Sequence, residues 1–385
     1  MPNFSGVWNL KDQVQAIAAG RWTGVPTFEL YAWGSSQFGQ LGDGTVVSKS
    51  SPIQVGSLTD WYQVASGGNR SSSIKTDGTL WSWGWGTYGA LGLGSSASCS
   101  SPVQVGALAD WYSIDCGTFH SAALKTDGTL WTWGSNGHGQ LGNNSGSPGA
   151  SVNSPIQIGA LTNWSQTSGG NGFTAAAKTD GTMWTWGQNL GGQLGDGTTI
   201  NRSSPIQVGA LTNWAHVGTG FYHTLAVKTD GSLWAWGDNS ADGELGDNTI
   251  IDKSSPIQIG ALTNWSKVDC GENHSIALKT DGTIWSWGRN SNYGQLGDGT
   301  RISRSSPVQV GALTTWAKVS AGRNSTMAIK ADGTLWIWGF NNNGQLGTGN
   351  VISRSSPVQV GALTNWYQAS AGNYHTAAIL QGTTN

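Results

Sequence analysis

Trp265-Ser-Lys-Val-Asp-Cys-Gly-Glu-Asn-His274-Ser-Ile-Ala-Leu-Lys-Thr-Asp-Gly282-Thr-Ile-Trp-Ser-Trp-Gly288 decides the fold. Trp265–Cys270 and the run from His274 are short, apolar-rich stretches of strand length. Asp281-Gly282 is a hairpin signal, read here as a type I′ turn. Thr283–Gly288 is a third strand. After a Gly/Asn-rich loop, Ser306-Pro307-Val308-Gln309-Val310 reads as a fourth, with proline at its start as suits an edge strand. Four short antiparallel strands in a unit of this length describe a propeller blade.

The unit recurs. Tyr31-Ala-Trp33-Gly34 has counterparts at Trp81, Trp131, Trp184, Trp234, Trp285 and Trp336, in steps of 50, 50, 53, 50, 51 and 51 residues. Trp61, Trp111, Trp164, Trp214, Trp265, Trp316 and Trp366 form a second series, and these marks account for 20 of 23 tryptophans. The two indoles of Trp-x-Trp lie at i and i+2, on one face of a strand, and are expected to pack against the following blade. The first unit enters at Phe28-Glu-Leu-Tyr31, in the third-strand position. The missing first two strands are supplied by Trp366–Ala371 and His375–Leu380. The expectation is an all-β, seven-bladed propeller over residues 28–385, closed by pairing of its two chain ends. The 385 residues then fill one ring rather than several domains.

Composition narrows function. Charged residues are 10% of the chain, with 19 basic and 21 acidic side chains. No basic patch for phosphate contacts is evident, so nucleic acid is not an expected partner. No apolar run is long enough to span a bilayer, so membrane insertion is not expected. Cys116 and Cys270 share one repeat position and read as small buried residues, and Cys99 lies in a Ser-rich loop. No disulfide framework follows.

Gly-x-x-His-[Ser/Thr]-x-Ala-[Leu/Val/Ile]-Lys-Thr-Asp-Gly-x-[Leu/Ile]-Trp-x-Trp-Gly-x-Asn…Gly-Gln-Leu-Gly resembles the regulator of chromosome condensation (RCC1) repeat, over about Phe28 to Leu380. The resemblance implies a seven-bladed propeller that binds other proteins through its surfaces. Members include an exchange factor for a small GTPase that also docks on chromatin, and a bacterial inhibitor of β-lactamases. This chain lacks the basic N-terminal tail of the chromatin-docking kind, and its units are unusually alike, which weighs against exchange-factor activity.

Residues 1–27 carry a second resemblance, to the openings of phage-type and marine virion proteins. Asn9 can cap a helix with Asp12 at its third position. Leu10, Val14 and Ile17 form an apolar stripe, and Gly20 is a stop signal. With Trp8 and Trp22, these residues are expected to anchor the chain on other protein subunits. This leads to a virion or phage component, of tail, fibre, decoration or receptor-binding kind, located on the particle. The alternative is a regulatory propeller that inhibits an enzyme or acts on a small GTPase, cytoplasmic or exported from a bacterium by a non-classical route.

No catalytic set, metal site or cofactor motif emerges, so no enzyme activity is expected. His120, His223, His274 and His375 share one position, filled elsewhere by Arg70, Phe173 and Ser325. Each is expected to order its own blade through a backbone hydrogen bond, although a histidine ring could also hold a metal or an anion. Asp43-Gly44-Thr45 and its copies at Asp196 and Asp298 are turn chemistry rather than a calcium loop. Function is expected where the repeats differ. The loops before the His position contribute Arg70, Phe119, Phe221, Tyr222, Glu272, Arg323 and Tyr374. Those after Trp-Gly contribute Phe38, Trp85, Tyr88, Tyr293 and Phe340, and an insertion runs from Asn143 to Asn153. Aromatic and Arg residues among Asn, Ser and Gly suit a protein- or glycan-binding face.

Overall fold

The computed structural model describes residues 26–145, 149–240 and 242–383. The helix expected near the N-terminus, with Trp8, Leu10, Val14, Ile17 and Trp22, lies outside the described residues, as does part of the Asn143–Asn153 insertion.

Seven four-stranded antiparallel sheets make seven blades. Blade 1 is built from both chain ends: β1 (Pro26–Gly34), β2 (Lys49–Gln54), β27 (Trp366–Ala371) and β28 (His375–Thr383), in the order β2-β1-β28-β27. The β1–β28 ladder runs unbroken from Pro26↔Thr383 to Gly34↔His375. Strand β1 therefore begins two residues before the expected boundary at Phe28. Blade 2 is β3 (Trp61–Ser66), β4 (Arg70–Lys75), β5 (Leu80–Gly84) and β6 (Cys99–Gln104). The remaining blades repeat this plan, with inner strands starting at Trp111, Trp164, Trp214, Trp265 and Trp316.

The core lies between blades. Trp33, Trp83, Trp133, Trp186, Trp236, Trp287 and Trp338 are all 0% exposed. Burying such an indole removes roughly 150–250 Å² from water, about 4–6 kcal/mol gross at ~25 cal/mol/Å². The pair does share one face, but that face meets the preceding blade, which corrects the expected direction. Trp83, with Trp61 and the half-buried Trp81, packs on Leu30, Ala32, Ala377 and Ile379 of blade 1. The indole N–H of Trp83 donates to the carbonyl of Gln40 in blade 1, and that of Trp287 to Glu244 of blade 5. The Gly-x-Leu-Gly turn is thus the docking seat for the next blade's tryptophan.

The outer Trp of each pair closes the bottom of its blade. Asp77 accepts from the N–H and hydroxyl of Thr79, and the Thr79 hydroxyl accepts from the indole of Trp81. Lys75 lies 4.8 Å from the Trp61 ring centroid and 4.5 Å from that of Trp81, within cation–π range. The Asp-Gly turn is not type I′: only Gly78, and not Asp77, has positive φ. With Gly78 N–H donating to Lys75 O and Lys75 N–H to Thr79 O, it is a type I turn followed by a left-handed Gly. Pro52 stands inside β2 rather than at its start, within the stretch where the ladder to β1 shifts register. Cys99 opens β6 rather than lying in a loop, and all three cysteines are free thiols.

Candidate functional site

Each inner strand ends on a tight Gly-x-x turn, and each third strand ends on the Gly of Trp-x-Trp-Gly beside it, as Arg70↔Gly84 shows in blade 2. Both variable loop sets therefore emerge on one face. The Gly of the inner turn is needed because successive blades nearly touch there. A Cβ on Gly67 would stand 2.7 Å from Gly117 O, and one on Gly271 2.4 Å from Gly322 O.

On that face the loops gather the expected aromatics into two clusters. Phe38 stacks on Trp85 at 5.1 Å, Trp85 meets Phe119 edge-on at 5.7 Å, and Tyr88 meets Phe119 at 5.9 Å. Tyr88 is 48% exposed and adopts φ of 62°, a left-handed backbone that an aromatic residue rarely accepts. On the other side of blade 1, Tyr293 packs on Phe340 at 4.5 Å, and Phe340 meets Tyr374 at 6.2 Å. Arg323 joins this second cluster. It pairs with Glu272 at 2.8 Å, donates to the Tyr374 hydroxyl, and lies near the rings of Tyr374 and Phe221. Phe221 and Tyr222 touch edge-on, and Tyr222 accepts from Asn171 at 3.0 Å. All of these aromatic rings keep some solvent exposure.

Arg70 is a correction. It is 1% exposed and serves the interior, not the face. Its guanidinium donates to the carbonyls of Thr118 (2.8 Å), Gly117 (3.0 Å) and His120 in the next blade. The histidines at the same position are corrected likewise, because they tie blades together rather than ordering their own. His120 meets Thr174 Oγ1 at 2.8 Å, His223 meets Ser275 Oγ at 3.0 Å, His274 meets Thr326 Oγ1 at 2.8 Å, and His375 meets Ser71 Oγ at 3.0 Å. Each hydroxyl spends its only proton on a carbonyl, as Thr326 does on Gln295 O. It can therefore only accept from His, which assigns the proton to Nε2. Burial holds these imidazoles neutral, with pKa values lowered to about 3 for His120 and His274 and about 4 for His223 and His375.

Asp196 and Asp298 do turn chemistry. Each accepts from the N–H and hydroxyl of a threonine two residues on, and each pairs with an arginine, Arg202 or Arg304. These bonds hold both carboxyls below their ordinary pKa, against the opposing effect of burial.

Two sets of contacts escaped the sequence reading. One is the Arg289–Asp242 pair at 2.7 Å, which links loops of neighbouring blades on the aromatic face. The other is a side-chain clamp along the channel. Gln63 donates to Ile114 O and accepts from Ile114 N–H, and Gln166 and Gln368 do the same to Val217 and Val64.

A private aromatic face on common four-stranded blades defines a repeat-propeller scaffold. The RCC1-like domain profile matches residues 113–378, and RCC1 repeats match residues 29–74 and 77–124. The chain belongs to the RCC1-like propeller family. Relatives include an X-linked retinitis pigmentosa GTPase regulator homolog of Caenorhabditis elegans, 40% identical over 83 residues (20% of this chain, 6% of that protein). The ultraviolet-B receptor UVR8 of Arabidopsis thaliana is 34% identical over 101 residues, 25% of this chain and 23% of the receptor. The chain thus matches only a minor part of each relative's length. Among solved structures, human WBSCR16 superposes with a TM-score of 0.82 at 22% identity, covering 92% of this chain and 98% of that one. Prp20p of Saccharomyces cerevisiae gives 0.83 at 19% identity, covering 93% and 92%.

Proposed function

We propose that this propeller is a non-enzymatic regulator that binds a protein partner through the aromatic loop face. The observation that carries the reading is the part-exposed Phe38–Trp85–Phe119–Tyr88 cluster. Four aromatics from three blades are held together where shared blade packing does not need them, one of them on a strained backbone. Rigid aromatics are enriched in binding hot spots, and the second cluster adds Arg323. Prp20p was characterised for binding to Gsp1p and histones, and was also solved bound to Kap60. Those partners belong to Prp20p, but they support protein binding as the use of this fold. A virion role rests on residues 1–27 alone, and none of the relatives named above is a virion protein. The regulatory reading is therefore preferred, and docking through residues 1–27 stays a separate proposal.

The test is affinity enrichment from the source cells with the intact chain and with a Phe38→Ala/Trp85→Ala/Phe119→Ala variant, followed by binding of the purified partner. The reading expects a partner that binds the intact chain and binds the variant at least about tenfold more weakly, a loss of 1.4 kcal/mol or more. Equal binding to both would overturn it.

A further inference from the structure

The axial channel widens away from the aromatic face into a cavity of about 740 Å³, lined by the early residues of all seven inner strands. Its wall is not seven-fold. At the second inner-strand position, blades 1, 2 and 3 carry Tyr367, Tyr62 and Tyr112, where the others carry Ser or Ala. At the third position, blades 5, 6 and 7 carry His216, Lys267 and Lys318. One side of the cavity is thus phenolic, and the other carries two lysine cations beside a neutral histidine.

The cationic side runs against the logic of the ring. At this position Gln63, Gln166 and Gln368 clamp both backbone groups of the next blade. Blades 5 to 7 give up that clamp. Among the described residues, Lys267 and Lys318 have no carboxylate within ion-pair distance. Lys318 donates to Tyr367 O and lies 4.3 Å from the Tyr367 ring centroid, which leaves two of its protons free. His216 has a buried Nδ1 without a partner. Burial, with a smaller contribution from neighbouring Lys267, depresses the Lys318 ammonium to about 8. The carboxylates that also line the cavity, Asp115 and Asp269, stand nearer the narrow neck and accept backbone N–H groups of the next blade, from Gly169 and Ala321. A departure from a local rule that weakens the fold is expected where a ligand repays it.

We infer that this cavity is a binding site for a small aromatic anion of nucleotide size, its phosphate against Lys267, Lys318 and His216 and its ring against Tyr62, Tyr112 and Tyr367. The volume lies within the usual range for small-molecule sites, roughly 300–1,000 Å³. Lysine acts as a point charge for phosphate, and tyrosine supplies a flat apolar wall with a polar tip.

Calorimetric titration of the full chain tests this, with AMP, ribose 5-phosphate and adenosine as probes. AMP is expected to bind saturably, and each of the other two about tenfold or more weakly, since each lacks one half of the recognition. A Lys267→Gln/Lys318→Gln variant is expected to lose AMP affinity by about tenfold or more. It should stay folded by near-UV circular dichroism, because glutamine is the residue other blades use there. The Phe38→Ala/Trp85→Ala/Phe119→Ala variant should bind AMP normally, which separates this site from the aromatic face. No saturable AMP binding, equal binding of AMP and ribose 5-phosphate, or unchanged affinity in the double variant would each overturn the inference.

Discussion

Gly42 lies so close to Trp83 that a Cβ there would stand 2.7 Å from the indole Nε1. The same seat recurs, with Gly195 at 2.7 Å from Trp236 and Gly297 at 2.5 Å from Trp338. Gly42→Ala therefore meets both a left-handed φ of 76° and a clash with a fully buried ring. The expected loss is roughly 2–4 kcal/mol by urea denaturation. Gly56 separates the two causes: its φ is 67°, but a Cβ there meets nothing within 4 Å. Gly56→Ala should cost only the backbone part, about 1–2 kcal/mol. Equal losses at the two sites would contradict the seat.

Ring closure predicts that the last strand is indispensable. Removing residues 375–385 deletes β28, the partner of both β1 and β27. The shortened chain should lose cooperative unfolding and aggregate on size-exclusion chromatography, because two strand edges are left open. A soluble monomer with an unchanged melting transition would refute the closure.

The buried histidines predict acid lability. His120, His223, His274, His375 and the channel residue His216 all have folded pKa values lowered to about 3 or 4 by burial. Below the unfolded value of 6.5, the unfolded chain takes up protons that the folded chain refuses, so stability falls with pH. Asp269 and Glu244, raised to about 7 by burial, act oppositely, since they hold protons in the folded state that the unfolded chain sheds. Burial raises Asp115 and Asp252 as well, so five histidines stand against four carboxyls, which leaves a net loss on acidification between about pH 6 and pH 5, up to about 1.4 kcal/mol per pH unit for each uncompensated histidine. Urea midpoints at about pH 7 and pH 5.5 should show it, and His274→Gln should reduce the slope by roughly one proton. A midpoint that rises as pH falls would contradict this balance.

The glutamine clamp predicts a measurable cost at Gln166. Gln166→Ala leaves the N–H and C=O of Val217 without their side-chain partner, for a loss of roughly 1–3 kcal/mol. Serine at the same position in blade 3 makes no such bond, so Ser113→Ala should be nearly neutral. Equal effects of the two substitutions in chemical denaturation would remove the clamp from the account.

Blade count, strand order and closure were legible because they follow from spacing. Trp at i and i+2 must share a face, and units that begin at strand three and end at strand two can complete one another. Which neighbour the face meets was not legible, since a period of two does not give the sense in which the ring turns. The aromatic loop residues stand out in the sequence because they break the repeat. Arg70 breaks it too, yet it lies in the core: its charge is satisfied by three carbonyls of the next blade, which sequence cannot display. Lys267 and Lys318 do not stand out in the sequence, because a residue facing a channel alternates along its strand like one facing bulk solvent.

Hydrogen–deuterium exchange of the propeller, with and without its isolated partner, tests whether the aromatic face is the working surface. New protection is expected in the loops around Phe38, Trp85–Tyr88, Phe119, Tyr293, Phe340 and Tyr374, and none at the Asp-Gly turns on the opposite face. Protection confined to those turns would contradict it.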